Sequence, residues 1–330
     1  MKKILIIGYG NIAKRHIKNL KVLLHGDCLF YVYKGMNRGN IFNINDDIQF
    51  VNSLAELDGL KFYCAIISSP SSKRAEAYKY LVGQDIPIFV EKPILSDFVL
   101  DFNISKFLES DILVGYNLRY LNTLKKFKEF IDLRICGKPL KINIISSSNL
   151  AEWRSDSNYS QTASARKDLG GGVLLELSHE IDYLLWIFGM PDIIFGTLEK
   201  LSLLNIDVED SAEIICRYSN IGLLAHLSLN FFHRDKISRK CFVYCEDGSI
   251  ECDLIDFKIT INNFCTHKSE IILFEEKIDD TYVREIRDFL DMIEYGRTPG
   301  ISFEDGLNVL KFVNAVRQSH TSGSRINMGL

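Results

Sequence analysis

The sequence has little excess charge of either sign and lacks any long apolar run. Its 39 lysines and arginines against 43 aspartates and glutamates leave a formal net charge of −4, which offers no basic surface to attract nucleic acid. A membrane-spanning helix needs roughly 18 or more consecutive apolar residues. Even the richest stretch, residues 174–188, is interrupted by charged side chains. We therefore expect a soluble chain with neither a nucleic-acid partner nor a membrane partner.

An export signal and a disulfide framework are also not expected. The apolar run Ile4–Ile7 stops at Gly8, and no cleavage signal follows it. The eight cysteines of a long chain without a secretory segment are expected as reduced, buried thiols. Cys241 and Cys245 form a C-x-x-x-C pair near Cys252, but this segment is typical of two strands joined by a hairpin turn at Asp247-Gly248, and no histidine stands at zinc-finger spacing. These features predict a cytoplasmic protein without a metal site.

The first third of the chain carries the pattern of a parallel sheet. At 330 residues the chain exceeds the size at which a single core stops growing, so two domains are expected. Short apolar runs alternate with helical stretches, which predicts an α/β domain with a doubly wound parallel sheet. The predicted strands are Ile4–Ile7, Leu29–Tyr33, Phe62–Ile67, Ile88–Val90 and Ile112–Gly115. We assign residues 1–120 to this domain.

The pattern changes from about residue 140 to longer segments of alternating polarity. Such segments predict a large, mostly antiparallel sheet, with strands at Ile142–Ser146, Ala212–Tyr218, Leu223–Phe231, Lys240–Cys245 and Phe257–Ile261. One helix is expected over residues 173–188. Another is expected after Ser302, which can cap it together with Asp305 three residues on. We assign residues 121–330 to a second α/β domain.

A glycine turn lies between the first predicted strand and a helix that begins near Asn11. Gly8 permits a tight turn, and Gly10 lets the backbone approach a pyrophosphate at the positive end of the helix. The small Ala13 lets that helix pack close to the strand. The turn therefore predicts dinucleotide binding by Gly8, Gly10, Asn11 and Ile12. The alternative is a glycine turn with a purely structural role.

The segment after the second predicted strand indicates which dinucleotide is bound. Sites that prefer NAD carry an acidic side chain there, which binds the ribose hydroxyls. None is present; Lys34 and Arg38 follow the strand instead, and two cations can pair with a 2′-phosphate. The sequence thus favours NADP over NAD. The alternative is that Lys34 and Arg38 are solvated loop charges.

The tripeptide Glu91-Lys92-Pro93 follows the predicted strand Ile88–Val90. By this tripeptide the chain resembles the glucose-fructose oxidoreductase and inositol dehydrogenase family, also called Gfo/Idh/MocA. The resemblance extends over nearly the whole chain. Its further matches are Ser68-Ser69-Pro70, Gly115-Tyr116-Asn117-Leu118-Arg119, Trp153-Arg154, Gly170-Gly171-Gly172 and Ser302-Phe303-Glu304-Asp305-Gly306.

The resemblance implies an N-terminal Rossmann domain, a C-terminal domain with an open sheet that binds substrate and mediates oligomerisation, and a substrate pocket between them. It also implies that Lys92 hydrogen-bonds the reacting hydroxyl or carbonyl, where an ammonium stabilises developing alkoxide charge. Glu91 is expected to orient Lys92, and Pro93 to fix the turn. The resemblance further implies cofactor contacts from Ser68, Ser69, Pro70, Glu91, Lys92, Asn117, Trp153 and Arg154.

The predicted helix 173–188 carries a second candidate catalytic residue, His179. Residues three apart meet on a helix, so Glu176 can hold His179 in one tautomer while the imidazole exchanges a proton with the substrate. Asp182, also three residues away, is the other candidate for this role. The family usually has an aspartate at the position of Leu175, so either Glu176 replaces that carboxylate or the role is lost. The alternatives are a buried histidine satisfied by backbone and a glutamate on the helix surface.

A similar departure lies in the segment Ser71-Ser72-Lys73-Arg74, where family members often carry Asn and His. Arg74 is a permanent cation rather than a base that can switch its charge. The hydroxyls of the loop can still hydrogen-bond a cofactor, although serines are also ordinary loop residues.

These residues together predict an oxidoreductase, and a homo-oligomer is expected because an open sheet face commonly pairs with a partner. The expected reaction is hydride transfer between NADP or NAD and a carbinol carbon of a small-molecule substrate: a sugar, a cyclitol or a nucleotide-linked sugar. Lys92 and His179 are the predicted polar pair. Imine or enone reduction on the same frame is an alternative, and a non-catalytic nucleotide-binding regulator is another, since folds and sites can be reused for sensing.

Overall fold

In the computed structural model, the described residues are 1–35, 47–97, 105–108, 111–153 and 158–329. Arg38 and Arg154, two of the predicted cofactor residues, lie outside these ranges. The contacts divide the chain into two compact units, residues 1–117 with 279–307 and residues 118–278 with 308–330. The sequence predicted a single boundary at residue 120. In the structure the segment 279–307 belongs to the first unit, although it lies beyond that boundary.

The first unit contains a six-stranded parallel sheet in the order β3-β2-β1-β4-β5-β6. Strands β4, β5 and β6 are buried along their whole length, as expected where helices cover both faces. The predicted parallel sheet is confirmed, and β3 is an addition that the sequence analysis missed. The strands are β1 (Lys2–Ile7), β2 (Cys28–Tyr33), β3 (Ile48–Val51), β4 (Cys64–Ile67), β5 (Ile88–Glu91) and β6 (Ile112–Gly115).

The helices of the first unit bury one side against this sheet. In α1 (Asn11–Leu23) the buried residues Ala13, His16, Ile17 and Leu20 follow helical spacing. The unpredicted helix α7 adds Ile286 and Phe289 to the same core as β1 and α1. The other helices of this unit are α2 (Arg74–Leu81), α3 (Ser105–Leu108), α7 (Ile278–Tyr295) and the first residues of α8 (Phe303–Ser322).

The second unit contains a nine-stranded sheet in the order β14-β13-β12-β11-β7-β10-β9-β8-β15. Its strands pair antiparallel except for β7 with β10, which confirms the mostly antiparallel sheet. The strands are β7 (Pro139–Ser147), β8 (Ile193–Glu199), β9 (Ser211–Tyr218), β10 (Leu223–Asn230), β11 (Ser238–Cys245), β12 (Gly248–Asp253), β13 (Lys258–Asn263), β14 (Lys268–Leu273) and β15 (Ile326–Asn327). Strands β8, β14 and β15 were not predicted from the sequence.

The helix expected over residues 173–188 is two helices, and this corrects the prediction. Helix α5 (Val173–Glu176) and helix α6 (Ser178–Phe188) meet at Leu177, whose φ of −93° and ψ of 30° leave helical geometry. In α6 the apolar Phe188 is only half-buried, whereas the charged Glu180 is fully buried. The two acidic residues of α6, Glu180 and Asp182, have ion-pair partners inside the unit in Arg239 and Arg119, so their charge does not place them at the surface.

Helix α8 begins as predicted. The backbone N–H of Ser302 donates to the Asp305 carboxylate at 2.8 Å, and the backbone N–H of Asp305 donates to the Ser302 hydroxyl at 3.2 Å. The second unit also contains α4 (Asn122–Asp132). No helix of the described residues is long and apolar enough to cross a membrane. The cysteines are free thiols, and Cys265 is exposed, contrary to the expectation of burial.

Candidate active site

The turn between β1 and α1 is built from two glycines with different constraints. Gly8 has a φ of +99°, and a Cβ there would lie 2.4 Å from the backbone nitrogen of Ser69. Only glycine fits this close approach to the neighbouring loop. Gly10 has an ordinary φ of −89°, and a Cβ there would meet no described atom within 4 Å. Gly8 therefore builds the turn, whereas Gly10 borders open space.

The open space beside Gly10 lies at the start of α1, where the predicted residues Asn11 and Ile12 form the first turn of the helix. That turn contains no acidic residue, and no side chain of the described chain caps it. Its N–H groups and the positive end of the helix dipole favour an anion. The residues present thus fit a dinucleotide whose pyrophosphate lies over Gly10.

The loop after β4 packs directly against this turn. The backbone N–H of Ser68 donates to the carbonyl of Ile7 at 2.8 Å, and its hydroxyl lies 3.3 Å from the carbonyl of Gly8. Pro70 precedes the start of α2. The predicted residues Ser68, Ser69 and Pro70 are therefore brought next to Gly8, because β1 and β4 are adjacent parallel strands.

Arg74 ties this loop to the tripeptide that follows β5. Its side chain is buried, with 3% of its surface exposed, and its Nε donates to the carbonyl of Ser69 at 2.9 Å. One terminal nitrogen donates to the carbonyls of Glu91 and Pro93. From the sequence, Arg74 was expected only as a permanent cation in place of a base that can switch its charge. The structure shows it as the donor that holds the backbone on both sides of Lys92.

The tripeptide itself is fixed from within. Glu91 is buried, and its Oε2 accepts a hydrogen bond from the backbone N–H of Lys92 at 3.2 Å. Its Oε1 lies 2.7 Å from Nε2 of His16 on α1. The peptide bond between Lys92 and Pro93 is cis. Lys92 is half-buried, on a segment whose backbone is held by both Arg74 and Glu91.

Two further predicted residues of the first unit have defined surroundings. The Lys34 ammonium lies 5.0 Å from the ring centroid of Tyr9 and 4.7 Å from that of Phe50, so it contacts the residue between the two glycines of the turn. The Asn117 amide is buried and donates to the Thr281 hydroxyl at 2.7 Å. Lys34 is thus beside the nucleotide turn, while Asn117 binds α7.

In the second unit, His179 lies near the start of α6 and is 9% exposed. The break at Leu177 separates it from Glu176, so the expected spacing along one continuous helix does not hold. The Asp182 carboxylate accepts hydrogen bonds from Nε and Nη2 of Arg119 at 2.9 and 2.7 Å. Asp182 is therefore engaged by a buried guanidinium, which weakens its candidacy as the residue that orients His179.

The glycine run before α5 is held by a residue that the sequence analysis missed, Glu209. Its carboxylate accepts from the backbone N–H of Leu174 at 3.2 Å, and its backbone carbonyl accepts from Val173. A Cβ on Gly172, whose φ is +112°, would lie 2.3 Å from that carboxylate. Burial raises the pKa of Glu209. Glu209 therefore caps the helical segment that leads to His179, from a position 35 residues further along the chain.

Trp153 lies at the edge of the described residues and is 36% exposed. Its indole N–H donates to the Ser148 hydroxyl at 2.9 Å, and its ring packs edge-on against Phe231 at 5.2 Å between centroids. These contacts fix the indole within the second unit and leave one third of its surface accessible.

The parallel sheet, the glycine turn and the lysine after β5 define a dinucleotide-binding Rossmann unit. Comparison with known families agrees with this class. The family model "Oxidoreductase family, NAD-binding Rossmann fold" matches residues 2–100, and the "GFO/IDH/MocA C-terminal domain" matches residues 124–251. The chain belongs to the GFO/IDH/MocA family and is an NAD-binding oxidoreductase.

Similar individual proteins include two curated dehydrogenases. The chain is 21% identical to the myo-inositol 2-dehydrogenase of Thermotoga maritima over 337 residues, which cover 95% of each protein. It is 25% identical to the glucose-6-phosphate 3-dehydrogenase of Bacillus subtilis over 231 residues, which cover 67% of this chain and 63% of that one. The solved structure of levoglucosan dehydrogenase with NADH and levoglucosan has a TM-score of 0.82 and 16% identity over 100% of both chains, a likeness in fold.

Proposed function

We propose that this oxidoreductase transfers a hydride between a nicotinamide dinucleotide and a carbinol or carbonyl carbon of a sugar, cyclitol or nucleotide-linked sugar. The observation that carries the proposal is the continuous set of contacts from the nucleotide turn to Lys92. Gly8 packs on Ser69, and Arg74 bonds both Ser69 and the backbone on either side of Lys92. The turn that would bind the cofactor and the segment that carries Lys92 are thus joined by one continuous set of packing contacts and hydrogen bonds.

The names of similar proteins support the substrate class. The relatives and the solved structure named above are dehydrogenases of inositol, of glucose 6-phosphate and of levoglucosan. Each of these substrates carries several adjacent secondary hydroxyl groups. We therefore propose a polyhydroxylated ring as the substrate of this chain.

Lys92 and His179 have different roles in the proposed reaction. When bound, the nicotinamide accepts or supplies the hydride. The Lys92 ammonium donates a hydrogen bond to the substrate oxygen and stabilises its developing negative charge. In the oxidative direction the His179 imidazole takes the hydroxyl proton, and in the reductive direction it returns one. Glu176, which ends α5 on the other side of the break at Leu177, is proposed as the carboxylate that orients His179, because Asp182 is engaged by Arg119.

The absorbance of reduced nicotinamide tests this function. The purified protein is mixed with NAD⁺ or NADP⁺ and a panel of inositols, aldoses, sugar phosphates and nucleotide sugars, and separately with NADH or NADPH and a panel of ketones, imines and enones. We expect the dinucleotide to be reduced in the presence of at least one polyol. We expect His179→Ala to lose roughly 100- to 10,000-fold in kcat. Bound cofactor without turnover of any alcohol, ketone, imine or enone would favour a regulator. Turnover restricted to imines or enones would favour the alternative reductase.

NADP is the proposed cofactor, in preference to NAD. The Lys34 ammonium contacts Tyr9 and Phe50 beside the turn, where a 2′-phosphate would add a charge-assisted bond. We expect Lys34→Ala to raise the Kd for NADPH more than the Kd for NADH. The matched control is Lys14→Ala, since Lys14 also lies over the Tyr9 ring, at 5.4 Å, but belongs to α1. Equal losses for both dinucleotides in Lys34→Ala would contradict the NADP assignment.

A homo-oligomer is also proposed, on the basis of one face of the nine-stranded sheet. Large apolar side chains exposed on this face are Ile145, Phe195, Ile215, Leu224, Tyr244 and Ile271. A groove of about 870 Å³ on the same face is lined by some of them, and exposed patches of this kind mark interfaces. In sedimentation analysis we expect a species larger than the 37.8 kDa chain and its dissociation by Ile215→Glu. A monomeric wild type would contradict the proposal.

A further inference from the structure

Three side chains meet in the interior of the first unit, directly behind Lys92. His16 comes from α1, Glu91 from the end of β5 and Glu285 from α7, and all three are buried. One nitrogen or oxygen atom of each lies within 4.8 Å of those of the other two. Two carboxylates thus share a small, buried space.

The two carboxylates have different partners. Glu91 accepts from the backbone N–H of Lys92 and faces His16 at 2.7 Å, so both of its oxygens are used. Neither carboxyl oxygen of Glu285 has a hydrogen-bond partner among the described residues, although the side chain is fully buried. An ionised carboxylate in such a place would be costly, and a second one beside it more so.

The other polar groups around Glu285 do not compensate a second negative charge. Arg15 is the nearby cation, but its guanidinium stacks 4.3 Å from the ring centroid of Tyr282 and lies 3.5 Å from Asp279. Burial raises the pKa of Tyr282 to about 12, so its hydroxyl is neutral. Burial, and next the charge of Glu91, raise the pKa of Glu285 well above its usual value despite Arg15.

We propose that Glu285 is a neutral carboxylic acid at physiological pH and a positioning residue for Lys92, because its bound proton allows Glu91 alone to stay ionised and hold the Lys92 backbone. Loss of that proton would place two negative charges within 4.8 Å and push Glu91 away from the Lys92 N–H. The role of Lys92 in this inference rests on the proposed function. The protonation of Glu285 does not, and it is tested without any cofactor.

Infrared difference spectroscopy on the cofactor-free protein tests the protonation directly. We expect wild type at pH 7 to show the carbonyl stretching band of a protonated carboxylic acid, and Glu285→Gln to lose that band. The matched control is Asp253→Asn: Asp253 is also buried, but its carboxylate lies 3.0 Å from the Lys240 ammonium and accepts from the backbone N–H groups of Ile255 and Asp256, so the band should survive its replacement. Absence of the band from wild type, or its persistence in Glu285→Gln, would overturn the proposal.

A second measurement covers the case in which Glu285→Gln does not fold. In wild type labelled with ¹³C at the glutamate carboxyl groups, one resonance should keep the chemical shift of a protonated acid above pH 7. In Glu91→Gln that resonance should titrate at lower pH, because the neighbouring charge is gone. If every glutamate resonance titrates near its ordinary pH, Glu285 is ionised and the proposal fails.

The kcat values of two Glu285 variants test the positioning role. Gln reproduces the shape and neutrality of a protonated glutamate, so Glu285→Gln should keep kcat, whereas Glu285→Ala should lose it at unchanged cofactor affinity. Equal losses in both variants would show that Glu285 has only a structural role. If wild type turns over no substrate while the infrared band is present, the proposed function fails and the protonated Glu285 remains.

Discussion

Gly8 and Gly10 are two residues apart, yet the same substitution should affect different properties. Alanine is predicted to lower the stability of the protein at Gly8 and its affinity for the dinucleotide at Gly10. A Cβ on Gly8 would lie 2.4 Å from the Ser69 backbone nitrogen and 2.7 Å from the Ser68 carbonyl carbon. These are backbone atoms, so the clash is relieved only if β1 and the loop after β4 move apart. The φ of +99° at Gly8 adds strain for any residue with a side chain.

The magnitude follows from these two terms. Overpacking a tight site typically costs about 1–3 kcal/mol, and a backbone conformation that L residues avoid costs roughly 1–2 kcal/mol more. We therefore expect Gly8→Ala to lower the free energy of unfolding by about 2–5 kcal/mol. That is a large share of the ~5–15 kcal/mol that holds a typical protein folded.

Gly10→Ala is the matched control. Its Cβ meets no described atom within 4 Å and its φ is −89°, so the free energy of unfolding should change by no more than about 0.5 kcal/mol. The added methyl group would, however, occupy the space proposed for the pyrophosphate. We expect the Kd for NAD(P)H to rise at least about tenfold, or ~1.4 kcal/mol.

Two assays separate the effects. Denaturant unfolding followed by circular dichroism measures stability, and nicotinamide fluorescence titration measures binding. The reasoning is refuted if Gly8→Ala is as stable as wild type, or if Gly10→Ala binds dinucleotide with unchanged affinity.

Three further predictions concern buried polar contacts and thiols. Arg74→Ala should cost about 3–5 kcal/mol in denaturant unfolding, because it leaves buried carbonyls without their donor; an unchanged midpoint would contradict this. Asp182→Asn should lower the free energy of unfolding by a similar ~3–5 kcal/mol, because it leaves the Arg119 guanidinium buried and unpaired. The double variant Arg119→Met, Asp182→Leu should recover part of that loss, which denaturant unfolding checks. Cys265 should be the thiol that reacts with a disulfide reagent in the native state, since burial raises the pKa of Cys241 to about 12; rapid labelling of several thiols without denaturant would show otherwise.

The parts of the fold that the sequence predicted share a simple signal. Strand β4 is a short apolar run next to a turn, and strands β9 and β10 alternate in polarity. The missed strand β14 (Lys268–Leu273) is mostly exposed, so neither pattern marks it. Helix α7 was not predicted although one side of it is buried, because its first turn contains two acidic residues and its position far along the chain gave no link to the first unit.

Some residues of the candidate site could likewise be predicted from the sequence, and others could not. Gly8, Gly10 and Lys92 stand in local motifs, which one stretch of sequence is enough to identify. Arg74 and Glu209 act on backbone groups 17 and 35 residues away. Contacts of that kind depend on which strands and loops become neighbours, and a single sequence does not carry that information.

The role of Lys92 is the central claim, and one comparison tests it most directly. Lys92→Ala and the control Lys73→Ala, which removes an exposed lysine from the preceding α2 region, are measured for dinucleotide Kd and for kcat on the same substrate. We predict that Lys73→Ala keeps the dinucleotide Kd and the kcat of wild type, whereas Lys92→Ala loses kcat by about 100- to 1,000-fold, a larger factor than any change in its dinucleotide Kd. A Lys92→Ala enzyme that keeps its kcat would contradict the account.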